Sequence, residues 1–305
     1  MMKESLNLAP LASPSQPFQP NMGKRYAFDL GFRWAAWIAA FVGVAFLLVL
    51  TVDVLLDGLP RLNWQFLTSF PSRRPTESGL LSALVGTLWL LGIVAAVAFP
   101  IGVGAGIYLE EYAARSRFAQ FIEINISNLA GVPSILYGLL GLQVFVRVMA
   151  PLTGGRSILA GGLTLALLVL PIVIVSTREA LRTVPDSIRM AGYALGATKW
   201  QTIREQVLPI AIPGILTGTI LALSRAIGET APLVTIGAMT FVSYLPNGLQ
   251  SAFTALPIQI YNWISRPQAA FHTNAAAGII VLLVVLLIMN TTAVMIRNRF
   301  QKNRA

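Results

Sequence analysis

Two opposite charges lie one helical turn apart in an otherwise uncharged stretch of the chain. Between Ile210 and Met239 the only charged residues are Arg225 and Glu229. An ionised side chain at the centre of a lipid bilayer costs about 2.5–3.5 kcal/mol, and such a cost is seldom retained without a role. Residues four apart on a helix are close enough to pair. This pair is therefore the first candidate for a functional site.

Two interpretations of the pair remain open. It is either a structural salt bridge that holds a helix bundle together, or a gate for an anion in which Glu229 masks Arg225 until the substrate displaces it. Charge placement favours the gate, because ionisable groups inside a membrane usually mark a transport pathway. A guanidinium group binds tetrahedral oxyanions through paired N–H donors, so phosphate and sulfate fit equally well. The predicted pathway also includes the neighbouring hydroxyl residues Ser224 and Thr230.

The segment that carries the pair has small residues at every fourth position, which allows close contact between helices. These residues are Gly214, Gly218, Ala222 and Ala226. Proline residues precede and follow the charges and predict kinks that free backbone groups near them. A small-residue helix with a neutralised cation near its centre suits an anion pathway.

The composition predicts a membrane protein with several spans. The chain has 305 residues, of which 55% are hydrophobic and 11% charged, whereas a soluble domain has about 25% charged residues. The absence of Cys excludes disulfides and thiolate metal sites, and a single His excludes a two-histidine metal motif. We expect no metal site, no cofactor and no catalytic centre.

Six intervals are long enough to cross a bilayer, for which a helix needs about 20 residues, and they are uncharged between their ends except the fifth, which Arg225 and Glu229 interrupt. They are residues 33–53, 77–110, 123–147, 156–178, 209–239 and 266–297. With the N-terminus inside, fifteen of the 22 Lys and Arg residues lie on the inner side and six on the outer side, with Arg225 in the membrane. The excess predicts that both termini are cytoplasmic, and it explains the net charge of +10 without nucleic acid as a partner.

Two domains are predicted along the chain. Residues 1–30 form a cytoplasmic tail that is rich in Pro and Ser at its start and is expected to be disordered. Residues 31–304 form an all-α transmembrane domain of six helices in contact with lipid, with a cytoplasmic loop at residues 178–209.

That loop carries the signals of two short amphipathic helices. Pro185 suits the first turn of a helix, and Gly196 is a common residue just after a helix end. Thr198 and Gln201 then form a capping-box pattern. Ile188, Ala191 and Leu195 share one face of the first helix, and Trp200, Ile203 and Val207 share one face of the second.

The loop resembles the E-A-A-x3-G-x9-I-x-L-P loop of ABC importer permeases. Gly196, Leu208 and Pro209 match at the required spacing, whereas Met190, Gly192 and Gln206 depart from the pattern. The resemblance implies that a coupling helix here docks into a groove of an ATPase subunit, through residues Ala191, Gly192, Leu195, Gly196, Leu208 and Pro209. The chain has no G-x4-G-K-[ST] motif, so ATP hydrolysis must come from another chain.

Three further segments resemble the PstA-type permease family of phosphate ABC importers. They are residues 225–233, which contain the Arg225–Glu229 pair, residues 131–138 and residues 255–263. Gly228-Glu229-Thr230 also resembles the partner permease of the same transporters, so the distinction between the two depends mainly on Ala231-Pro232-Leu233 and the segment 255–263.

The resemblance implies a type I ABC importer permease in a bacterial plasma membrane. Its partners would be a second homologous permease, two ATPase subunits and an external phosphate-binding protein. Two alternatives remain: a permease for another oxyanion such as sulfate or molybdate, and an ion-coupled secondary transporter. The second would show an internal repeat, and no convincing repeat relates the two halves of the sequence. A membrane enzyme is disfavoured, because no catalytic motif such as H-E-x-x-H or G-x-S-x-G is present.

Overall fold

The computed structural model describes residues 22–113 and 117–302, and within them the chain is helical without strands. The α-helices are α1 (Met22–Gly58), α2 (Trp64–Thr68), α3 (Leu81–Ile107), α4 (Arg117–Ala130), α5 (Ser134–Gly141), α6 (Ala150–Thr153), α7 (Ile158–Arg182), α8 (Asp186–Ala194), α9 (Lys199–Thr202), α10 (Leu208–Gly228), α11 (Ala231–Ile236), α12 (Leu256–Ile264) and α13 (Ala269–Lys302). Three π-helical segments extend helices: Tyr108–Tyr112 follows α3, Leu142–Val148 follows α5, and Ile203–Val207 joins α9 to α10.

The chain divides into two units, residues 1–52 and residues 53–305. In the first unit, the described residues form most of α1, which is apolar around its circumference and long enough to cross a membrane. Residues 1–21 of the predicted tail lie outside the described residues, and residues 22–30 form the first turns of α1.

The second unit is built around α7, which packs against α3 on one side and α10 on the other. Glycine permits both approaches, because a Cβ at Gly102 or Gly106 would meet Val173 or Thr177, and one at Gly214 or Gly218 would meet Ala180 or Ser176. The small-residue positions predicted in α10 thus lie at a close helix contact, and Ala222 and Ala226 are buried. Gly104 differs, since a Cβ there would meet nothing within 4 Å.

Five of the described helices are long and apolar enough to span a membrane, and one bent helix pair gives a sixth span if it crosses as a unit. The predicted third span consists of α4 and α5 with its extension, which are bent by 102° with respect to each other. The bend lies at Gly131-Val132-Pro133, where Pro133 ends the helical conformation of the preceding residues. The Tyr137 hydroxyl donates a hydrogen bond of 2.8 Å to the Leu129 backbone oxygen across the bend.

The predicted fifth span, residues 209–239, does not form one helix, which corrects the expectation for this interval: the helix long enough to cross a membrane runs from Lys199 to Gly228. Helix α10 ends at Gly228, and Glu229 has an extended conformation with φ −75° and ψ 118°. Pro232 then lies in the first turn of α11, where its missing N–H costs no hydrogen bond. Helix α11 packs on α5, and a Cβ at Gly138 would collide with Thr235 and Pro232. The short helices α5 and α11 therefore form one closely packed pair.

Candidate functional site

The predicted intramembrane ion pair is present at the C-terminal end of α10. Arg225 Nε lies 3.3 Å from Glu229 Oε1, and this is a single contact between residues four apart. The Glu229 side chain is 16% exposed and the Arg225 side chain 43% exposed. Since Glu229 lies just beyond the last helical residue, the pair joins the helix to the break that follows it. The guanidinium group therefore keeps N–H donors free of Glu229 on an open face of the chain.

The two hydroxyl residues of the predicted pathway lie on either side of this pair but point to different neighbours. The Ser224 hydroxyl donates a hydrogen bond of 2.7 Å to Asn290 Oδ1 on α13. Thr230 lies in the break between α10 and α11, and its backbone oxygen accepts a hydrogen bond of 3.0 Å from Val234 N. The structure thus brings Arg225 and Glu229 together and places Ser224 at a helix contact.

Asn290 belongs to a polar seam between α10 and α13 that the sequence analysis did not identify. A second contact of the seam joins Arg297 Nη1 to Thr217 Oγ1 at 3.1 Å. The two contacts are separated by seven residues on each helix, as expected for two antiparallel helices packed along one line. The signal available in the sequence was a single Asn at the end of a long apolar run in α13.

The loop predicted to be cytoplasmic, residues 178–209, has the capping contacts that were predicted. Helix α8 follows Pro185, Gly196 has a φ of 80°, and both hydrogen bonds of the Thr198–Gln201 capping box are formed. Gly192 is buried against Thr202, where a Cβ would lie 2.8 Å from the threonine side chain. The remaining predicted coupling residues divide in two: Ala191, Leu195 and Gly196 are exposed, and Leu208 and Pro209 are half buried at the start of α10.

Two expectations for this loop are corrected. The second short helix is not separate, because α9, its π-helical extension and α10 form one helix of 30 residues from Lys199 to Gly228. The three residues predicted to share its apolar face also differ in burial: Ile203 and Val207 are fully buried, whereas Trp200 is exposed. Periodicity alone could not separate them, since burial depends on other elements: Val207 belongs to a core cluster with Ala180 and Leu181 of α7.

Large apolar side chains are exposed on the loop next to charged ones. Met190, in the polar helix α8, is 67% exposed, and Leu195, just after that helix, is 89% exposed. Single exposed apolar residues are common on protein surfaces, and these two are the most exposed of the large apolar side chains from the start of α8 to the end of α9.

A cleft of about 750 Å³ lies beside this loop and is lined by charged side chains. Arg178 binds Glu110 at 3.2 Å and Glu123 at 3.0 Å, and Arg182 binds the same two carboxylates at 3.1 and 3.2 Å. These four side chains, called the charged network below, join the π-helical segment after α3, the middle of α4 and the end of α7. The sequence analysis missed the network, because each arginine is 55 or more residues away from its glutamate partners in the chain.

Comparison with known proteins identifies the family. The pattern of the family described as "Binding-protein-dependent transport system inner membrane component" matches residues 98–302, more than half of the chain. The chain belongs to this family. It is thus a multi-pass inner-membrane component of a transport system and not an enzyme.

Two relatives cover most of the chain. It is 33% identical over 304 residues to the phosphate transport system permease protein PstA 1 of Mycobacterium tuberculosis, which covers 97% of this chain and 96% of that protein. It is 34% identical over 244 residues to the PstA protein of Haemophilus influenzae, covering 80% and 84% of the two chains.

Solved structures of ABC importers show the same fold. The bacterial alginate ABC transporter superposes over 90% of this chain and 97% of its own, with a TM-score of 0.64 and 16% identity. The MetNI methionine ABC transporter superposes over 72% and 95%, with a TM-score of 0.60 and 19% identity. The predicted type I ABC importer permease fold is confirmed.

Proposed function

We propose that this chain is a permease subunit of an ATP-driven importer of inorganic phosphate and forms half of the translocation pathway. The observation that carries the proposal is the 33% identity over nearly the whole chain to a phosphate transport permease. The site agrees with it, because an arginine with one partner on a partly exposed face is suited to an oxyanion.

Arg225 is the proposed anion-binding group of the pathway. Its single contact to Glu229 neutralises the cation in the absence of substrate, and this lowers the cost of holding a charge within the membrane. A phosphate oxygen that approaches the exposed side of the guanidinium group competes with Glu229 for N–H donors. Glu229 follows the last turn of α10, so its displacement acts on the break between α10 and α11.

The exposed apolar residues of α8 are the proposed contact with an ATPase subunit. Met190 and Leu195 project from the cytoplasmic loop, and burial in a groove would recover about 25 cal/mol per Å² of apolar surface. With this loop on the cytoplasmic side, six spans place both termini on the cytoplasmic side as well. The complete importer is proposed to contain a second homologous permease, two ATPase subunits and an external phosphate-binding protein.

Affinity purification from native membranes tests the assembly, and uptake assays test the substrate. We expect an ATPase and a second permease to co-purify with the chain, and phosphate uptake to stop when ATP is depleted. Recovery without an ATPase, with uptake unaffected by ATP depletion, would contradict the proposal and favour a secondary transporter. Competition by excess sulfate or molybdate, and not by phosphate, would identify another oxyanion as the substrate.

A further inference from the structure

The π-helical turn Tyr108–Tyr112 at the end of α3 contacts three elements of the cytoplasmic side. It is called the 108–112 turn below. Its two consecutive glutamates point to different partners: Glu110 binds Arg178 and Arg182 of α7, and Glu111 binds Arg189 of α8. The next residue, Tyr112, lies under Lys199 at the start of α9, with 5.0 Å from Nζ to the ring centre.

The contact between Glu111 and Arg189 is the shortest and most buried ion pair in the described part of the chain. Arg189 Nη2 lies 2.7 Å from Glu111 Oε1, and the side chains are 14% and 5% exposed. Arg189 Nε also donates to both carboxylate oxygens, at 3.2 and 3.3 Å. The carboxylate of Glu111 raises the pKa of Arg189, mainly by this hydrogen bonding. A paired, buried guanidinium with several bonds holds one geometry.

Arg189 connects more than two elements. Its Nη1 donates a hydrogen bond of 2.8 Å to the Val184 backbone oxygen, and its Nη2 donates one of 3.1 Å to the Leu181 backbone oxygen. These oxygens belong to the end of α7 and the short connection after it, and the Leu181 oxygen also accepts a hydrogen bond of 3.2 Å from Val184 N. The same side chain therefore joins α8, the end of α7 and the 108–112 turn.

Helix α3 is in turn packed closely on α7 along its length. Gly102 and Gly106 of α3 leave no room for a Cβ beside Val173 and Thr177 of α7. A closely packed interface of this kind moves as one body more readily than it deforms. A displacement of α8 is therefore transmitted to α3 through one buried ion pair, and to α7 through the three-residue connection between the two helices.

We propose that the 108–112 turn receives the movement of α8, and that the Arg189–Glu111 pair is the positioning contact that passes it to α3. This inference rests on the proposed function, in which α8 is the element that docks on the ATPase. Neither residue touches the substrate. Their role is to keep α8 and the membrane-spanning helices in one register while ATP is hydrolysed.

A thermodynamic cycle in the assembled transporter tests this role. Arg189→Gln, Glu111→Gln and the double variant are each reconstituted in vesicles with the second permease, the ATPase subunits and the binding protein, and uptake of inorganic phosphate and ATP hydrolysis are measured together. We expect each single variant to raise the ATP hydrolysed per phosphate transported by about fivefold or more. We expect the double variant to match Arg189→Gln, because Glu111→Gln has nothing further to remove once their shared contact is lost.

The matched control removes an ion pair of the same chemistry from an exposed position. Arg74→Gln breaks the exposed Arg74–Glu77 pair and should leave the ratio at its wild-type value. A wild-type ratio in Arg189→Gln, or additive effects in the double variant, would overturn the inference. The proposed function fails in a different way, since a wild-type complex that shows no phosphate-dependent ATP hydrolysis would refute it before any variant is compared.

Discussion

The Arg225–Glu229 pair and the charged network use the same two residue types in opposite ways. Arg225 has one contact of 3.3 Å to a residue on its own helical turn, and its side chain is 43% exposed. Arg178 is buried and has two carboxylate partners on two other helices. The first pair can open without moving a helix, whereas the network cannot open unless α4, the end of α7 and the segment after α3 separate.

The presence of a charge does not distinguish a gate from a structural ion pair. The number of its partners, and the helices from which they come, make the difference. A local pair between residues four apart contributes about 0.2–0.5 kcal/mol to a helix, which a bound anion can outweigh. Removal of one member of a buried, cross-linked pair costs about 3–5 kcal/mol, because its partners keep their charge without compensation. Loss of Arg225 should therefore impair transport, and loss of Arg178 should impair stability.

The largest effect is expected for Arg178→Gln. Glu110 and Glu123 would keep only Arg182, which is more exposed, so the free energy of unfolding should fall by about 3 kcal/mol. Denaturant unfolding of the purified complex in detergent measures the change. Arg74→Gln is the matched control on an exposed pair and should change stability by less than about 1 kcal/mol. Equal effects of the two substitutions would show that the network does not hold the helix ends together.

The next effect is expected for Arg225→Gln and concerns transport. Loss of a charged hydrogen-bond donor to the anion should lower phosphate uptake by about tenfold to a hundredfold, while the complex assembles normally. Arg225→Lys keeps the charge but loses the paired donors, so its uptake should lie between those of the wild type and Arg225→Gln. Uptake and co-purification of the ATPase are measured on the same preparations. Normal uptake by Arg225→Gln would refute the pathway role.

The structural features that depend on residues close in sequence were predictable. The spacing of Arg225 and Glu229 predicted their contact, and the signals at Pro185, Gly196 and Thr198 predicted the ends of α8 and α9. Each of these follows from backbone geometry within a few residues, so a single sequence contains the information.

The parts that depend on distant residues were not predictable. The pairing of Glu111 with Arg189 joins positions 78 residues apart, and nothing in either local sequence selects the other. The break after Gly228 was hidden for another reason, since apolar residues continue through α11 and a hydropathy interval does not register a change of backbone direction. Pro232 was recognised as a kink, but only the packing of α11 on α5 converts the kink into a separate helix.

The smallest effect is expected for Gly218→Ala, which tests whether the Arg225–Glu229 gate depends on the packing of α10 against α7. An added Cβ would collide with the Ser176 side chain and force α10 away from α7, at a cost of about 1–2 kcal/mol after the higher helix propensity of Ala is included. Gly104→Ala is the control on α3, where a Cβ meets nothing within 4 Å, and it should be neutral or slightly stabilising.

Ser176→Gly added to Gly218→Ala should restore the contact, because both atoms that collide with the new Cβ belong to the Ser176 side chain. Stability and phosphate uptake are measured for the single and double variants. Arg225 lies two helical turns beyond Gly218 on α10, so uptake should fall with stability in the single variant and recover with it in the double variant. Recovery of stability without recovery of uptake would mean that the Ser176 hydroxyl itself acts in transport, and that the gate does not depend on the α7–α10 contact alone.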